Sequence, residues 1–293
     1  VSIKLRRDRN ALTLFNTVNG DKVRFAVGHY SKARVPELVD IKITDYCPFA
    51  CAFCYQDSTL EGSHARLEDL ARVARELGRA GVFEVALGGG EPTDHPAFLD
   101  VLREFRAAGV VPNFTTKSLG YVKRNWSSLD PLVGAFAYSA ETVKDLESAS
   151  WMLAAVPRDR VNIHYVMGLG TERDYVDFMR AAKGLGFRVT LLGYKTVGRG
   201  GSVAHSRYDW FVEATRLLVA AKACPTFSID TPLAAEFADR LPISRRHFHT
   251  KEGFVSAYVD AVSMTMSASS FNQEEMVPFD ERWIERYADI VPV

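Results

Sequence analysis

Cysteine is scarce in this chain. There are four in 293 residues, three of them within eight positions at Cys47, Cys51 and Cys54, and Cys224 stands alone downstream. So sparse and lopsided a set does not resemble a secreted disulfide framework. An excess of charge of one sign is lacking too, because 36 Lys and Arg balance 36 Asp and Glu. That leaves no polybasic surface to argue for nucleic acid. There is no run of about 18 apolar residues, so no membrane span is expected. The opening stretch, VSIKLRRDRNALTLF, lacks the apolar core of a signal peptide. Together these absences predict a reducing, cytoplasmic setting with neither a membrane nor a nucleic-acid partner.

What is present is an alternation of strand and helix patterns. ALTLFNTVNGDKVRF flanks Asn19-Gly20 with alternating apolar residues, a hairpin signal. Val39, Ile41 and Ile43 alternate as a strand does. Leu67, Leu70, Val73, Ala74 and Leu77 then recur at helical spacing, with Gly81 placed to cap that helix. The beat continues with a strand over Val82–Leu87, a helix opening at Pro96 and ending near Gly109, and strands in VVPNFTT and LVGAFAYS. A helix over Thr142–Val156, the strand VNIHYVM, a helix over Glu172–Leu185, the strand FRVTLLGY and a helix over Tyr208–Ala223 complete it. Six strand–helix units between Val39 and Ala223 predict an α/β fold with a parallel sheet. The expected division is an N-terminal β-hairpin over 1–34, a core over 35–230 and a C-terminal extension over 231–293. In the extension EGFVSAYVDAVSMTMSASSF alternates like two strands.

The unusual residues fall at strand ends. The cysteines follow the first core strand, GGGEPT the second, TTKS the third, SAE the fourth, MGLGTE the fifth and GYKTVGRG the sixth. In a parallel sheet those carboxyl ends share an edge, where active sites of α/β proteins assemble. Thiolates favour zinc or iron–sulfur clusters. Structural zinc wants four ligands, usually in separated pairs. Cys-x3-Cys-x2-Cys has no second pair nearby, and His64 is an isolated candidate for a fourth ligand. Three thiolates on a four-iron cubane would leave one iron open to a substrate or cofactor. The spacing favours a cluster over zinc, and three buried unligated thiols packing as small hydrophobes are the plainest alternative.

Cys47-Pro-Phe-Ala-Cys51-Ala-Phe53-Cys54 and the downstream Gly89-Gly90-Glu91 of GGGEPT resemble the two signatures of the radical S-adenosylmethionine (SAM) enzymes. The resemblance covers about 35–200. It implies a partial (β/α)6 TIM-like barrel and one 4Fe–4S cluster ligated by Cys47, Cys51 and Cys54. It also implies reductive cleavage of SAM to a 5′-deoxyadenosyl radical that removes a substrate hydrogen. By position it implies Gly89, Gly90 and Glu91 for the SAM amine and Phe53 near the adenine. Ser139 and Glu141 fall where ribose or carboxylate contacts are made, unless they only cap a helix. Lys195 and Arg199 are candidates for an anion, and Asn162 and His164 share one face of the fifth strand. Thr116-Lys117 stands where relatives often have Thr-Asn, so the lysine is a departure.

The C-terminal extension resembles that of peptide-modifying members, but the cysteines that would hold extra clusters are absent, which predicts a single cluster. Ser244–Thr250, SRRHFHT, is locally basic. The expected substrate is a peptide or a small metabolite, with an external electron donor of flavodoxin or ferredoxin type. The competing expectation is a non-catalytic iron–sulfur or zinc protein, which accounts for the cysteines but not for the glycine–glutamate loop.

Overall fold

The N-terminal strands rest on one buried carboxylate. In the computed structural model, which describes residues 3–28, 31–241, 244, 248–272 and 275–293, β1 (Ile3–Asp8), β2 (Ala11–Asn16) and β3 (Lys22–Ala26) form an antiparallel sheet in that order. The hairpin around Gly20, at φ +80°, is as expected. β1 is an addition, since its sequence IKLRRD alternates charges with apolar residues and reads weakly as a strand. Beneath the sheet, Glu37 accepts from Thr13 Oγ1 at 2.7 Å and Arg24 Nε at 3.1 Å, with Lys22 Nζ at 3.6 Å. Phe15, fully buried, stacks on Phe83 at 5.0 Å between centroids.

The remaining elements are, in chain order, β4 (Leu38–Thr44), α1 (Leu67–Ala80), β5 (Glu84–Gly89), α2 (Phe98–Ala107), β6 (Val111–Thr116) and α3 (Leu119–Leu129). Then come β7 (Phe136–Ser139), α4 (Val143–Ala149), α5 (Met152–Ala155), β8 (Val161–Val166), α6 (Glu172–Leu185), β9 (Val189–Leu192), α7 (Phe211–Ala220), β10 (Phe227–Ile229) and α8 (Thr231–Phe237). β11 (Ser256–Asp260), β12 (Thr265–Ser267), β13 (Val277–Pro278) and α9 (Trp283–Asp289) complete the set among the described residues.

The chain divides into two compact units, 1–136 with 252–293, and 137–251. In the first, β4, β5 and β6 run parallel, with Val39 opposite Val85 and Leu87 opposite Phe114. β11 adds to the other side of β4, also parallel, and β12 and β13 follow antiparallel. Val39, Ile41, Ile43, Val85 and Leu87 are all essentially inaccessible, alternate positions that give β4 and β5 one shared apolar face. α1 buries Leu70, Val73, Ala74 and Leu77 and ends on Gly81 at φ +82°, as the spacing predicts. α2 starts at Phe98 rather than Pro96, because a short 3-10 turn over Pro92–Asp94 intervenes.

In the second unit β7, β8, β9 and β10 are successive neighbours, with β8–β9 and β9–β10 parallel. α6 has the expected bounds, because Thr171 and Asp174 form a capping box at its start and Gly186 closes it at φ +89°. The helix expected over Thr142–Val156 is two pieces, α4 and α5, and Thr142 caps the first with Asp145. Of the basic stretch Ser244–Thr250, Arg245, Arg246 and His247 lie outside the described residues.

Candidate functional site

The three cysteines sit on a loop that is stapled shut at its neck. Beyond β4, Asp45 N donates to Ser63 O at 2.8 Å, Cys47 N to Thr59 O at 2.8 Å, and Thr59 N to Asp45 O at 3.1 Å. Gly62 permits this closure, since a Cβ there would lie 2.2 Å from Asp45 O. Cys47, Cys51 and Cys54 are half-buried free thiols, and Cys54 N turns back to Cys51 O at 3.2 Å. Burial, with the neighbouring Glu91 charge, pushes the Cys47 thiol up from its ordinary value. Among the described residues no three His, Cys, Asp or Glu side chains gather round one point as ligands of a single metal ion would.

The glycine–glutamate loop at the end of β5 is bonded directly to this neck. Gly90 N donates to Thr44 O at 2.7 Å and Glu91 N to Tyr46 O at 2.9 Å. The contact requires glycine. A Cβ on Gly90 would lie 2.0 Å from Tyr46 O, and one on Gly89, whose φ is +104°, would lie 2.4 Å from Thr44 O.

Glu91 is 2% exposed and turned into the protein. Its Oε1 accepts from Thr93 N at 3.2 Å, Thr93 Oγ1 at 2.6 Å and Thr116 Oγ1 at 2.6 Å, and its Oε2 accepts from Lys117 N at 2.9 Å. Burial raises its pKa despite those bonds. A carboxylate has about four acceptor positions, so its spare capacity is on Oε2. Lys117 also reaches the cysteine loop. Its Nζ lies 3.3 Å from Cys51 Sγ and 5.5 Å from the centre of the Phe53 ring. Lys42, 8% exposed, bridges Asp45 at the start of the loop and Asp260 on β11 at 3.3 Å. Tyr258 and Ser270, both from the C-terminal segment, contact Gln56 and Tyr55 of the loop at 3.4 and 3.3 Å.

His64 Nδ1 is engaged by Thr44 Oγ1 at 2.8 Å. His95 accepts from Ala97 N on Nδ1 and meets Ala65 O at 2.9 Å through Nε2, so it is the neutral Nε2–H tautomer; burial lowers its pKa. Reading the sequence gave no role to His95, Lys42 or Thr93. Thr93 is inside the GGGEPT motif, and a lysine set among the apolar residues of a core strand, DIKIT, is the signal that singles out Lys42.

The other candidates belong to the second unit. Ser139 ends β7, and Glu141 N donates to Asp145 Oδ2 at 2.9 Å, as part of the cap of α4. Asn162 and His164 share the face of β8 opposite the buried Val161, Ile163 and Tyr165. Asn162 Oδ1 accepts from Ile163 N at 3.0 Å and Nδ2 donates to Thr190 Oγ1 at 2.5 Å. Burial, and then the charge of Lys195, pull the His164 pKa down to about 4. Lys195 Nζ faces Asp230 Oδ2 at 4.0 Å, and Asp230 Oδ1 accepts from Gly193 N and Leu233 N. Burial raises the Asp230 pKa against the pull of Lys195. Arg199 lies on a 3-10 turn over Gly198–Ser202. The first unit thus brings together Cys47, Cys51, Cys54, Phe53, Gly89, Gly90 and Glu91, and the second brings together His164, Lys195 and Asp230.

A paired-motif site on a β/α scaffold of this kind defines a class of cofactor-dependent enzyme, and comparison with known proteins names the family. The sequence model of the radical SAM superfamily matches residues 41–200. That is more than half of the chain, which therefore belongs to the radical SAM superfamily of enzymes, whose members use a 4Fe–4S cluster and SAM. A PqqA peptide cyclase of Rhodopseudomonas palustris is 32% identical over 87 residues, 29% of this chain and 23% of that protein. A probable GTP 3′,8-cyclase of Pyrococcus horikoshii is 31% identical over 77 residues, 26% of this chain and 25% of that protein. The match thus spans about a quarter of the length of these relatives. Among solved structures, SuiB of Streptococcus suis bound to its precursor peptide SuiA superposes with a TM-score of 0.75 at 12% identity, covering 97% of this chain and 87% of that one. At that identity the likeness shows the fold, a mixed α/β architecture of radical SAM partial-barrel type with an N-terminal antiparallel sheet and a C-terminal extension.

Proposed function

We propose that Cys47, Cys51 and Cys54 hold a single 4Fe–4S cluster, that Gly89, Gly90, Glu91 and Phe53 hold SAM beside it, and that the enzyme modifies a peptide. The donor set fits the group. Three soft thiols with no second cysteine pair beside them suit a cubane with one open iron better than structural zinc, which takes four ligands. When bound, the cluster and SAM supply a 5′-deoxyadenosyl radical able to remove a substrate hydrogen. The chain's own part is positioning and exclusion of water. The pair of bonds from Gly90 N to Thr44 O and from Glu91 N to Tyr46 O carries this reading, because it fastens the glycine–glutamate loop to the neck of the cysteine loop. Glycine carbonyls, with no side chain of their own beside them, can accept from an ammonium group, and the spare capacity of Glu91 Oε2 can do the same. Ser139, Glu141, Asn162, Lys195 and Arg199 enter the proposal as further SAM contacts on the motif resemblance alone.

A peptide substrate is supported by the kinship with PqqA peptide cyclases and by the fold shared with SuiB in its peptide complex. The match to a GTP cyclase keeps a small metabolite as the comparison to run. A reducing, cytoplasmic setting and an external flavodoxin- or ferredoxin-type donor complete the proposal. Among the described residues no helix is long and apolar enough to cross a membrane. Anaerobic reconstitution tests the proposal. The expected result is about four irons per chain and release of 5′-deoxyadenosine from SAM under reductant, stimulated by the cognate peptide. Cys51→Ala should abolish release while the far-ultraviolet circular dichroism is retained. One colourless metal per chain and no SAM cleavage would overturn it.

A further inference from the structure

Lys117 is held by both motifs at once. Its backbone N–H donates to Glu91 Oε2 at 2.9 Å, which fixes its Cα against the glycine–glutamate loop. Its ammonium crosses to the cysteine loop, where it donates to Cys51 Sγ at 3.3 Å and lies over Phe53 at 5.5 Å from the ring centre. The contact with the ring face is favourable for a cation and limits where the flexible side chain can go. It is also half-buried, so bulk salt screens its charge less than that of a surface lysine.

A cation that hydrogen-bonds a ligand sulfur has a definite electrical consequence. One-electron reduction of a cluster adds a negative charge, and a nearby positive charge and N–H donor stabilise the more negative state. We infer that Lys117 is a positioning residue that raises the reduction potential of the centre held by Cys51, making it easier for an outside donor to reduce. This inference rests on the cluster reading above. It adds a tuning role for a residue that departs from the motif resemblance.

The test is an electron paramagnetic resonance redox titration of reconstituted full-length protein, without SAM or substrate, in the wild type and in Lys117→Met, Lys117→Gln and Lys117→Arg. Iron content should stay at about four per chain in all of them. At a fixed ambient potential, Lys117→Met should lower the reduced-to-oxidised ratio about tenfold, a shift of about 59 mV for a one-electron couple. Lys117→Arg should restore the ratio to within about threefold of wild type, since it keeps charge and donors. An unchanged ratio in Lys117→Met with full iron content would overturn the inference. If Lys117→Met fails to keep its cluster, Lys117→Gln, which keeps a donor without the charge, decides in the same way. Loss of the cluster from both, with Lys117→Arg intact, would assign the residue to cluster retention and overturn the tuning role. Absence of iron in the wild type would instead sink the underlying cluster reading, so the two failures are distinguishable.

Discussion

Three consecutive glycines, Gly88 to Gly90, carry β5 into the loop beyond it, and the structure assigns them unequal tolerance. An ideal Cβ on Gly88 meets nothing within 4 Å, whereas one on Gly90 lies 2.0 Å from Tyr46 O and 2.6 Å from Tyr46 C. In Gly90→Ala the loop must retreat by about 1.4 Å to restore ordinary contact. The bonds Gly90 N to Thr44 O and Glu91 N to Tyr46 O, now 2.7 and 2.9 Å, flank the clash and would stretch beyond hydrogen-bonding range. Leaving such groups unpaired costs about 1–3 kcal/mol each. The sum, about 2–6 kcal/mol, corresponds to a fall in Tm of roughly 3–10 °C for a chain of this size. The cysteine loop would also lose its fixed relation to Glu91, so iron uptake on anaerobic reconstitution should drop together with SAM cleavage. Gly88→Ala, two residues earlier on β5, should match the wild type in Tm and iron content. Circular dichroism melts and iron assays on the two variants decide the matter. Equal melting temperatures and equal iron in Gly88→Ala and Gly90→Ala would refute the close approach as the reason for the motif.

Other perturbations follow from the buried charges. For Glu37, burial alone would raise the pKa, but Arg24, Lys22 and Thr13 outweigh it and hold the carboxyl below its ordinary value. Its stabilisation is therefore present above about pH 4.3 and is lost as pH falls through the lower folded value. Glu37→Gln should cost about 2–4 kcal/mol at pH 7 and should abolish this acid-sensitive component in urea melts. His164 has the same linkage sign, although here the uncharged form is the one the fold favours. Between its unfolded value of about 6.5 and its folded value of about 4, the unfolded chain binds the extra proton, so stability falls as pH drops through that window. The ceiling is about 3 kcal/mol at 1.36 kcal/mol per unit. His164→Phe should flatten the difference between melts at pH 7.5 and pH 5, and an unchanged slope would count against a neutral buried imidazole. Lys42→Met strands Asp45 and Asp260 and should cost about 2–4 kcal/mol. It should also speed iron loss to a chelator; unchanged chelation kinetics would mean that Lys42 does not brace the loop.

Much of the fold and of the motif layout was legible because it is encoded locally. α6 and α1 carry dense apolar stripes bounded by caps, and their limits are readable from the spacing. α3 was invisible because only Val122 and Leu129 of its eleven residues are fully buried, too few to make a stripe. The break between α4 and α5 was missed for a different reason. The apolar residues recur across it, and the interruption at Ser150–Trp151 has no glycine or proline to announce it. β10 continues the strand beat beyond where the pattern weakens, in a stretch only three residues long. At the site, the cysteines and glycines were readable by type and spacing. The carboxylate bonds of Glu91 and the reach of Lys117 to Cys51 depend on the sheet register that sets Leu87 beside Phe114, which local sequence does not state.

The C-terminal segment shows the same limit most clearly. Its alternation predicts strands, and β11 and β12 are there. Nothing in that alternation says that β11 pairs in parallel with β4, more than two hundred residues earlier, with Asp260 opposite Lys42. That pairing puts Asp260 against the buried ammonium that also binds Asp45, two residues before Cys47. The same segment supplies Tyr258 and Ser270 to Gln56 and Tyr55, just beyond Cys54. The cysteine loop is therefore gripped on both flanks by a segment that has no cysteine of its own. Such a grip requires only backbone pairing, one carboxylate and two hydroxyls, none of which depends on a second cluster. The extension's contacts thus bear directly on the loop that carries Cys47, Cys51 and Cys54.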